Sequence, residues 1–188
     1  MVAFADTVAK TERFVLIVAG LPGAGKTALA DRLAPLFGAR IVSRDVVRAA
    51  MFVPCAFTDT EKQASFQAVL AAVDANCRLA ASTIVEGMPF SRVGEIEAVC
   101  EASECHGIPC FTVVCDVPVA VAQARVRAQQ AAGVPMADDR AAKLVEEVAE
   151  RFRQPPPDAL VIDATRSLDD LAAQVVAHVR AHVAPTSA

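Results

Sequence analysis

The sequence predicts an α/β fold, a five-stranded parallel sheet with helices on both faces. Short apolar runs alternate with helical stretches along the 188 residues, and that alternation leads to a parallel sheet covered on both sides. The first run, Phe14-Val15-Leu16-Ile17-Val18-Ala19, has no polar interruption, as a strand buried on both faces requires. It leads directly into Gly20-Leu21-Pro22-Gly23-Ala24-Gly25-Lys26-Thr27, which fits the phosphate-binding pattern G-x-x-x-x-G-K-[ST]. Strand, glycine-rich turn and helix therefore follow one another in the order that pattern needs.

The first strand is expected at 13–19. Ala28, Leu29, Leu33, Leu36 and Phe37 recur at helical spacing and predict a helix over 26–37, which Gly38 stops. A short strand at 40–43 feeds a helix at 45–51. Thr58-x-x-Glu61 is a capping box opening a helix at 59–81. Further strands are expected at 82–87, 109–115 and 159–163, with helices near 91–106, 118–132 and 138–153 between them. Ser167-x-x-Asp170 opens the last helix, near 168–183. Two stretches break the alternation: Gly133-Val134-Pro135-Met136, and Arg151-Phe152-Arg153-Gln154-Pro155-Pro156-Pro157, whose prolines no helix can cross. The region from Arg125 to Arg153 is thus a helix–break–helix excursion with arginines at 125, 127, 140, 151 and 153, where a lid would sit. The chain reads as one domain over 1–188, with the lid-like excursion at about 125–153.

A net charge of −4 and a pI near 5.4 argue against a broad basic face, so long nucleic acid is not a favoured partner. No segment approaches the ~18 uninterrupted apolar residues of a membrane span. The N-terminus carries Asp6, Lys10, Glu12 and Arg13 and has no signal-peptide apolar core, so a cytoplasmic location is expected. Cysteines at 100, 105, 110 and 115 fall at five-residue intervals with His106 among them. Zinc sites favour closer pairs, so these are expected to be reduced core thiols.

The octapeptide carries the clearest chemistry. Its glycines let successive N–H groups turn inward as an anion cradle, and the following helix adds the positive end of its dipole. Gly20, Leu21, Pro22, Gly23, Ala24, Gly25, Lys26, Thr27 and Ala28 are the expected nucleotide-phosphate contacts, Lys26 reaching the β- and γ-phosphates and Thr27 a Mg²⁺ position. Of only four lysines, against fourteen arginines, one stands at that place. The strand at 40–43 delivers Asp45 and Arg48 to the sheet edge where ligands bind. Asp45 is a candidate general base and Arg48 a candidate anion holder. The competing reading is a helix N-cap and a surface arginine. Glu86 ends the third strand and either serves the Mg²⁺ shell, orients an acceptor or caps a turn. Asp116 ends the fourth, as a second metal-side carboxylate or as a cap before Pro118. Arg125 and Arg127 are the favoured lid pair for charge on a moving phosphoryl group.

With the octapeptide, Ser43-Arg44-Asp45-Val46-Val47-Arg48 and Cys115-Asp116-Val117-Pro118 leading into Arg125, the chain resembles the small P-loop kinases. The closest group joins predicted ATP-dependent kinases to the kinase domain of 5′-hydroxyl polynucleotide kinases. The resemblance spans roughly 13 to 165. It implies a three-layer P-loop NTPase fold with sheet order 2-3-1-4-5 and a small helical lid. It also implies Asp45 as base, Arg48 on the acceptor side, and the nucleotide base near Ala164-Thr165-Arg166. Relatives commonly show Val-Asp-Ala-Thr where this chain has Val85-Glu86-Gly87-Met88, a departure on the acceptor side. A GTPase is disfavoured because the only asparagine, Asn76, precedes Cys77. An AAA-type mechanical ATPase is disfavoured by the short chain and the missing Asp-Glu pair. The expectation is a Mg²⁺-ATP-dependent phosphotransferase acting on a hydroxyl-bearing acceptor. The alternative is an ATP-binding regulatory module without turnover.

Overall fold

In a computed structural model that describes residues 13–132, 142–152 and 155–183, the chain forms one five-stranded parallel sheet. Its elements are β1 (Val15–Gly20), α1 (Lys26–Phe37), β2 (Arg40–Ser43), α2 (Arg44–Met51), α3 (Asp59–Arg78), β3 (Thr83–Glu86), α4 (Glu95–Glu104), β4 (Cys110–Asp116), α5 (Val119–Ala131), α6 (Ala142–Arg151), β5 (Leu160–Asp163) and α7 (Leu168–His182). The strand order is β2-β3-β1-β4-β5, as the resemblance implied. The break at Gly133–Met136, and Arg140 and Arg153, lie outside the described residues.

Every residue of β1 is buried, because it is the central strand and both its faces are covered. Side chains alternate across a strand, so β1 feeds two cores. Phe14, Leu16 and Val18 join side chains of α1, α5, α6 and α7. Val15, Ile17 and Ala19 join those of α3 and α4. Each fully buried Leu or Ile here contributes about 1.5–3 kcal/mol by leaving water, which makes β1 a rigid base for the loop that follows it.

Element ends differ from expectation where local backbone chemistry decides them. The helix expected at 59–81 stops at Arg78, because Ala80 takes the left-handed conformation (φ 57°). Ala80 N–H then bonds Cys77 O and Ala81 N–H bonds Asn76 O, satisfying the last carbonyls. Thr58 and Glu61 form the reciprocal capping box at its start. At the last helix only half of the expected box is made, with Ser167 Oγ accepting from Asp170 N–H. The helix expected from 91 begins at Glu95, after Gly94 at φ 82°, which leaves Ser91 and Arg92 in the β3–α4 loop.

The cysteines depart from the expectation of reduced thiols. A disulfide joins Cys100 of α4 to Cys110 of β4, whose Cα atoms are 5.2 Å apart. The chain reverses between them through Gly107 at φ 67°, a return that residue spacing alone does not reveal. Cys55, Cys77, Cys105 and Cys115 are free. Among the described residues no helix is long and apolar enough to cross a membrane.

Candidate active site

Parallel pairing brings the carboxyl ends of three strands to one edge, with Gly20 ending β1 and Ser43 of β2 level with Glu86 of β3. The phosphate-binding loop rises from that edge. Gly20 (φ 136°) and Gly23 (φ 82°) are required by close approach: a Cβ would stand 2.6 Å from Cys115 O at the first and 2.5 Å from Ala122 O at the second. Burial pushes the Cys115 thiol up to about 11 in spite of the nearby Lys26 charge, so it packs under the loop as a neutral group. Gly25 (φ 91°) is the N-cap of α1, and space beyond it is open. The first helical N–H to find a main-chain acceptor is that of Leu29, on Gly25 O at 3.0 Å. First-turn N–H groups have no intrahelical acceptor, which makes them donors for an anion. Leu21 and Ala24 turn into the core, so only their backbone remains for a ligand. Lys26 Nζ donates to Gly20 O (3.0 Å) and Leu21 O (2.9 Å) at the head of the loop.

Thr27 Oγ1 donates to Glu86 Oε2 at 2.8 Å, and Glu86 is only 2% exposed. A hydroxyl and a buried carboxylate beside a phosphate cradle are hard oxygen donors, the set that suits Mg²⁺ with its retained waters. The residues therefore fit the metal. Asp116 is exposed at the end of β4, where its carbonyl accepts from Ala164 N–H at 2.7 Å. The carboxylate on Thr27 is Glu86. A hollow of about 110 Å³ gathers Gly23, Gly25, Lys26, Thr27 and Ala28 with Glu86 and Gln129.

The neighbouring strand supplies the second half of the site. Ser43 occupies the N-cap position of α2, and Asp45 lies in the first turn beyond it. Arg48 is 3% exposed, bonds Asp45 Oδ1 at 3.1 Å and stands over the Phe57 ring at 4.6 Å. Asp45 is thus not the N-cap, and Arg48 is not a surface arginine. Both line a cleft of about 320 Å³ whose walls also hold Lys26, Arg44, Arg92 and Arg151.

Gly87 sets the spacing between these halves. At φ 84°, a Cβ on it would stand 2.7 Å from Ser43 Oγ, 2.8 Å from Arg44 N and 2.9 Å from Asp45 N. Gly87→Ala is expected to cost about 1–3 kcal/mol through backbone strain and overpacking. Thermal unfolding then begins several degrees lower, and nucleotide-dependent activity falls as the first turn of α2 is pushed out. An unchanged melting temperature would show that α2 moves without penalty.

Arg125 donates from Nη2 to Ala164 O at 3.0 Å, tying α5 to the β5–α7 loop. Thr165 N–H (3.0 Å) and Oγ1 (2.6 Å) both donate to Asp163 Oδ1, and these bonds hold the Asp163 carboxyl below its ordinary range. Arg166 follows, half exposed and 3.6 Å from Asp170. Arg127 is exposed. Lys26, Asp45 and Arg48 therefore meet in one cleft, while neither Arg125 nor Arg127 lines it. Arg92 and Arg151 line it instead, with Arg151 Nε on Ser91 Oγ at 3.2 Å. Arg151 was visible as one of the excursion's five arginines. Nothing in the local pattern singles out Arg92.

A phosphate-binding loop after the central strand of a 2-3-1-4-5 sheet defines the P-loop kinase fold. The chain belongs to the AAA domain family, whose model matches residues 15–156. No curated protein sequence matches the chain. Among solved structures it is similar to a candidate kinase from Chloroflexus aurantiacus J-10-fl, at 22% identity over 89% of this chain and 98% of that one, with a TM-score of 0.71. A gluconokinase from Sinorhizobium meliloti 1021 overlays at 14% identity over 92% and 94%, with a TM-score of 0.68. The Mycobacterium tuberculosis APS kinase in complex with AMPPNP and APS overlays at 17% identity over 90% and 98%, with a TM-score of 0.65. These likenesses establish the fold.

Proposed function

We propose that the chain is an ATP-dependent phosphotransferase that moves the γ-phosphoryl group of Mg-ATP to a hydroxyl of a compact acceptor. The observation that carries this reading is that Asp45 and Lys26 line the same cleft, a carboxylate beside the phosphate-reading lysine. A module that only senses nucleotide has no use for a base at that place. The fold of the kinases that overlay the chain supports the same reading.

In the proposed reaction the loop N–H groups and Lys26 hold the phosphate chain. Mg²⁺, when bound at Thr27 and Glu86, supplies charge neutralisation. Asp45 takes the proton of the acceptor hydroxyl as its oxygen bonds the γ-phosphorus; the bond from that phosphorus to the β,γ-bridging oxygen breaks and ADP leaves. Arg48 holds the Asp45 carboxylate in position through its own bond to Oδ1. Catalysis is mostly positioning and charge stabilisation, since phosphoryl transfer asks little covalent chemistry of the protein. Arg125 orients the β5–α7 loop against which the nucleotide base sits, with Arg166 beside it. The α5–α6 pair acts as the lid of a single domain. A cleft of about 320 Å³ suits a compact acceptor better than a polynucleotide.

The test is a transfer screen with γ-labelled ATP across alcohols, sugars, sugar acids, nucleosides and short 5′-hydroxyl oligonucleotides. The expected result is label on one of the compact classes, with ADP formed in equal amount. Label on none of them, with Mg-ATP still bound, would establish the regulatory ATP-binding module instead.

A further inference from the structure

The cleft shared by Lys26 and Asp45 carries an imbalance of charge. Its walls hold six cationic side chains, Lys26, Arg44, Arg48, Lys62, Arg92 and Arg151, against four carboxylates. Lys26 bonds the loop carbonyls and Arg48 bonds Asp45, and Arg44 and Lys62 have partners of their own. Arg92 shares Asp59 at 3.3 Å, but Asp59 is 84% exposed, and so open a pair contributes little. Among the described residues Arg151 has no carboxylate within ion-pair reach. Its Nε is tethered to Ser91 Oγ, itself 4% exposed, so one edge of the guanidinium is anchored on the β3–α4 loop. A guanidinium anchored by Nε keeps its two Nη donors as a planar fork, the geometry that matches carboxylate and phosphate oxygens.

We infer that the acceptor carries an anionic group, a carboxylate or a phosphate, and that Arg151 and Arg92 clasp it on the wall formed by α6 and the β3–α4 loop while its hydroxyl meets Asp45. This rests on the phosphotransferase reading above. A neutral acceptor would leave the Nη fork of Arg151 facing the cleft without an anion. An anionic one fills it, and its charge fixes which hydroxyl faces Asp45. Specificity then comes from a charge-assisted contact, whose loss with the neutral analogue costs about 10- to 100-fold in affinity.

The experiment uses the full chain with Mg²⁺ and a non-hydrolysable ATP analogue for calorimetry, and γ-labelled ATP for transfer. Three matched probe pairs are compared: glycerate with glycerol, gluconate with glucose, and a nucleoside 5′-monophosphate with its nucleoside. The expected result is a tenfold or greater preference for the acid member of at least one pair. The pair that responds separates carboxylate from phosphate. In Arg151→Gln the preference should fall below about twofold while affinity for the ATP analogue holds; Arg151→Lys, which keeps charge but not the fork, should recover part of it. Thermal unfolding of each variant confirms that it is folded. Neutral members bound as well as acids, or a preference that survives in Arg151→Gln and Arg92→Gln, overturns the inference and leaves the kinase reading in place. A loss of analogue affinity in Arg151→Gln equal to the loss for the acid also overturns it, by assigning the arginine to the nucleotide. Acids preferred in binding with no transfer to any probe would support the anion site and count against the phosphotransferase.

Discussion

Lys26→Ala is expected to lower kcat at least about 100-fold, the cost of removing one preorganised group from developing phosphoryl charge. The physical reason is that Lys26 is a compact charge at the first position of α1, next to the loop donors and in the same cleft as Asp45. Its stabilisation grows as negative charge moves onto the β,γ-bridging oxygen, so kcat should fall further than ATP affinity. The fold should survive. The bonds lost include two from a part-buried ammonium to loop carbonyls, and β1, Gly20 and Gly23 keep the loop in shape. Steady-state turnover, nucleotide binding and thermal unfolding measured together check this. Near-normal ATP consumption in a folded Lys26→Ala variant would sink the assignment of the loop.

Asp45→Asn is the second large effect, an expected fall in transfer of about 10²- to 10⁴-fold, the range of a positioned general base. Asparagine is the right replacement because its Oδ1 still accepts from Arg48 Nη2, a bond of 3.1 Å in the parent. Alanine would leave the guanidinium of Arg48, 3% exposed, without that carboxylate. Stripping a buried charge of its carboxylate costs up to about 3–5 kcal/mol, less here because the Asp45 side is 25% exposed, and would confuse misfolding with lost catalysis. Mg-ATP binding should remain, since the Asp45 side chain lies on α2 and the phosphate donors lie on the β1–α1 loop. Single-turnover transfer in Asp45→Asn at saturating ATP is the deciding measurement, and an unchanged rate would remove Asp45 as the base.

The legible part of the site is the part made of consecutive residues. Gly20 to Thr27 lie within one turn between a strand and a helix, so residue order states their geometry almost completely. Asp45 and Arg48 were legible as a pair because three residues on a helix share a face. Their roles in the competing reading, N-cap and surface arginine, were excluded only by the fold, which gives the cap to Ser43 and buries Arg48. The metal-side carboxylate was ambiguous between Glu86 and Asp116 for a similar reason. Both end apolar strands that flank β1, and only the placement of Thr27 against the end of β3 decides that Glu86 is the one it reaches.

The arginines mark the boundary most clearly. Arg125 and Arg127 stood out by position after the fourth strand, yet the cleft is lined by Arg92 and Arg151. A helical charge pattern reports periodicity and says nothing of which element stands opposite. Arg151 meets Ser91 across 60 residues of chain, a contact created by the packing of α6 on α5 and by the late start of α4 at Glu95. The cysteines teach the same lesson at closer range, since Cys100 and Cys110 meet only because the chain turns back at Gly107. Residue order alone settled the α/β class, the phosphate-binding loop and the helix that follows it, because each depends on local backbone chemistry and hydrophobic period. Tertiary packing alone settled which distant charges share a cleft with Lys26, because that depends on how strands and helices are ordered in space.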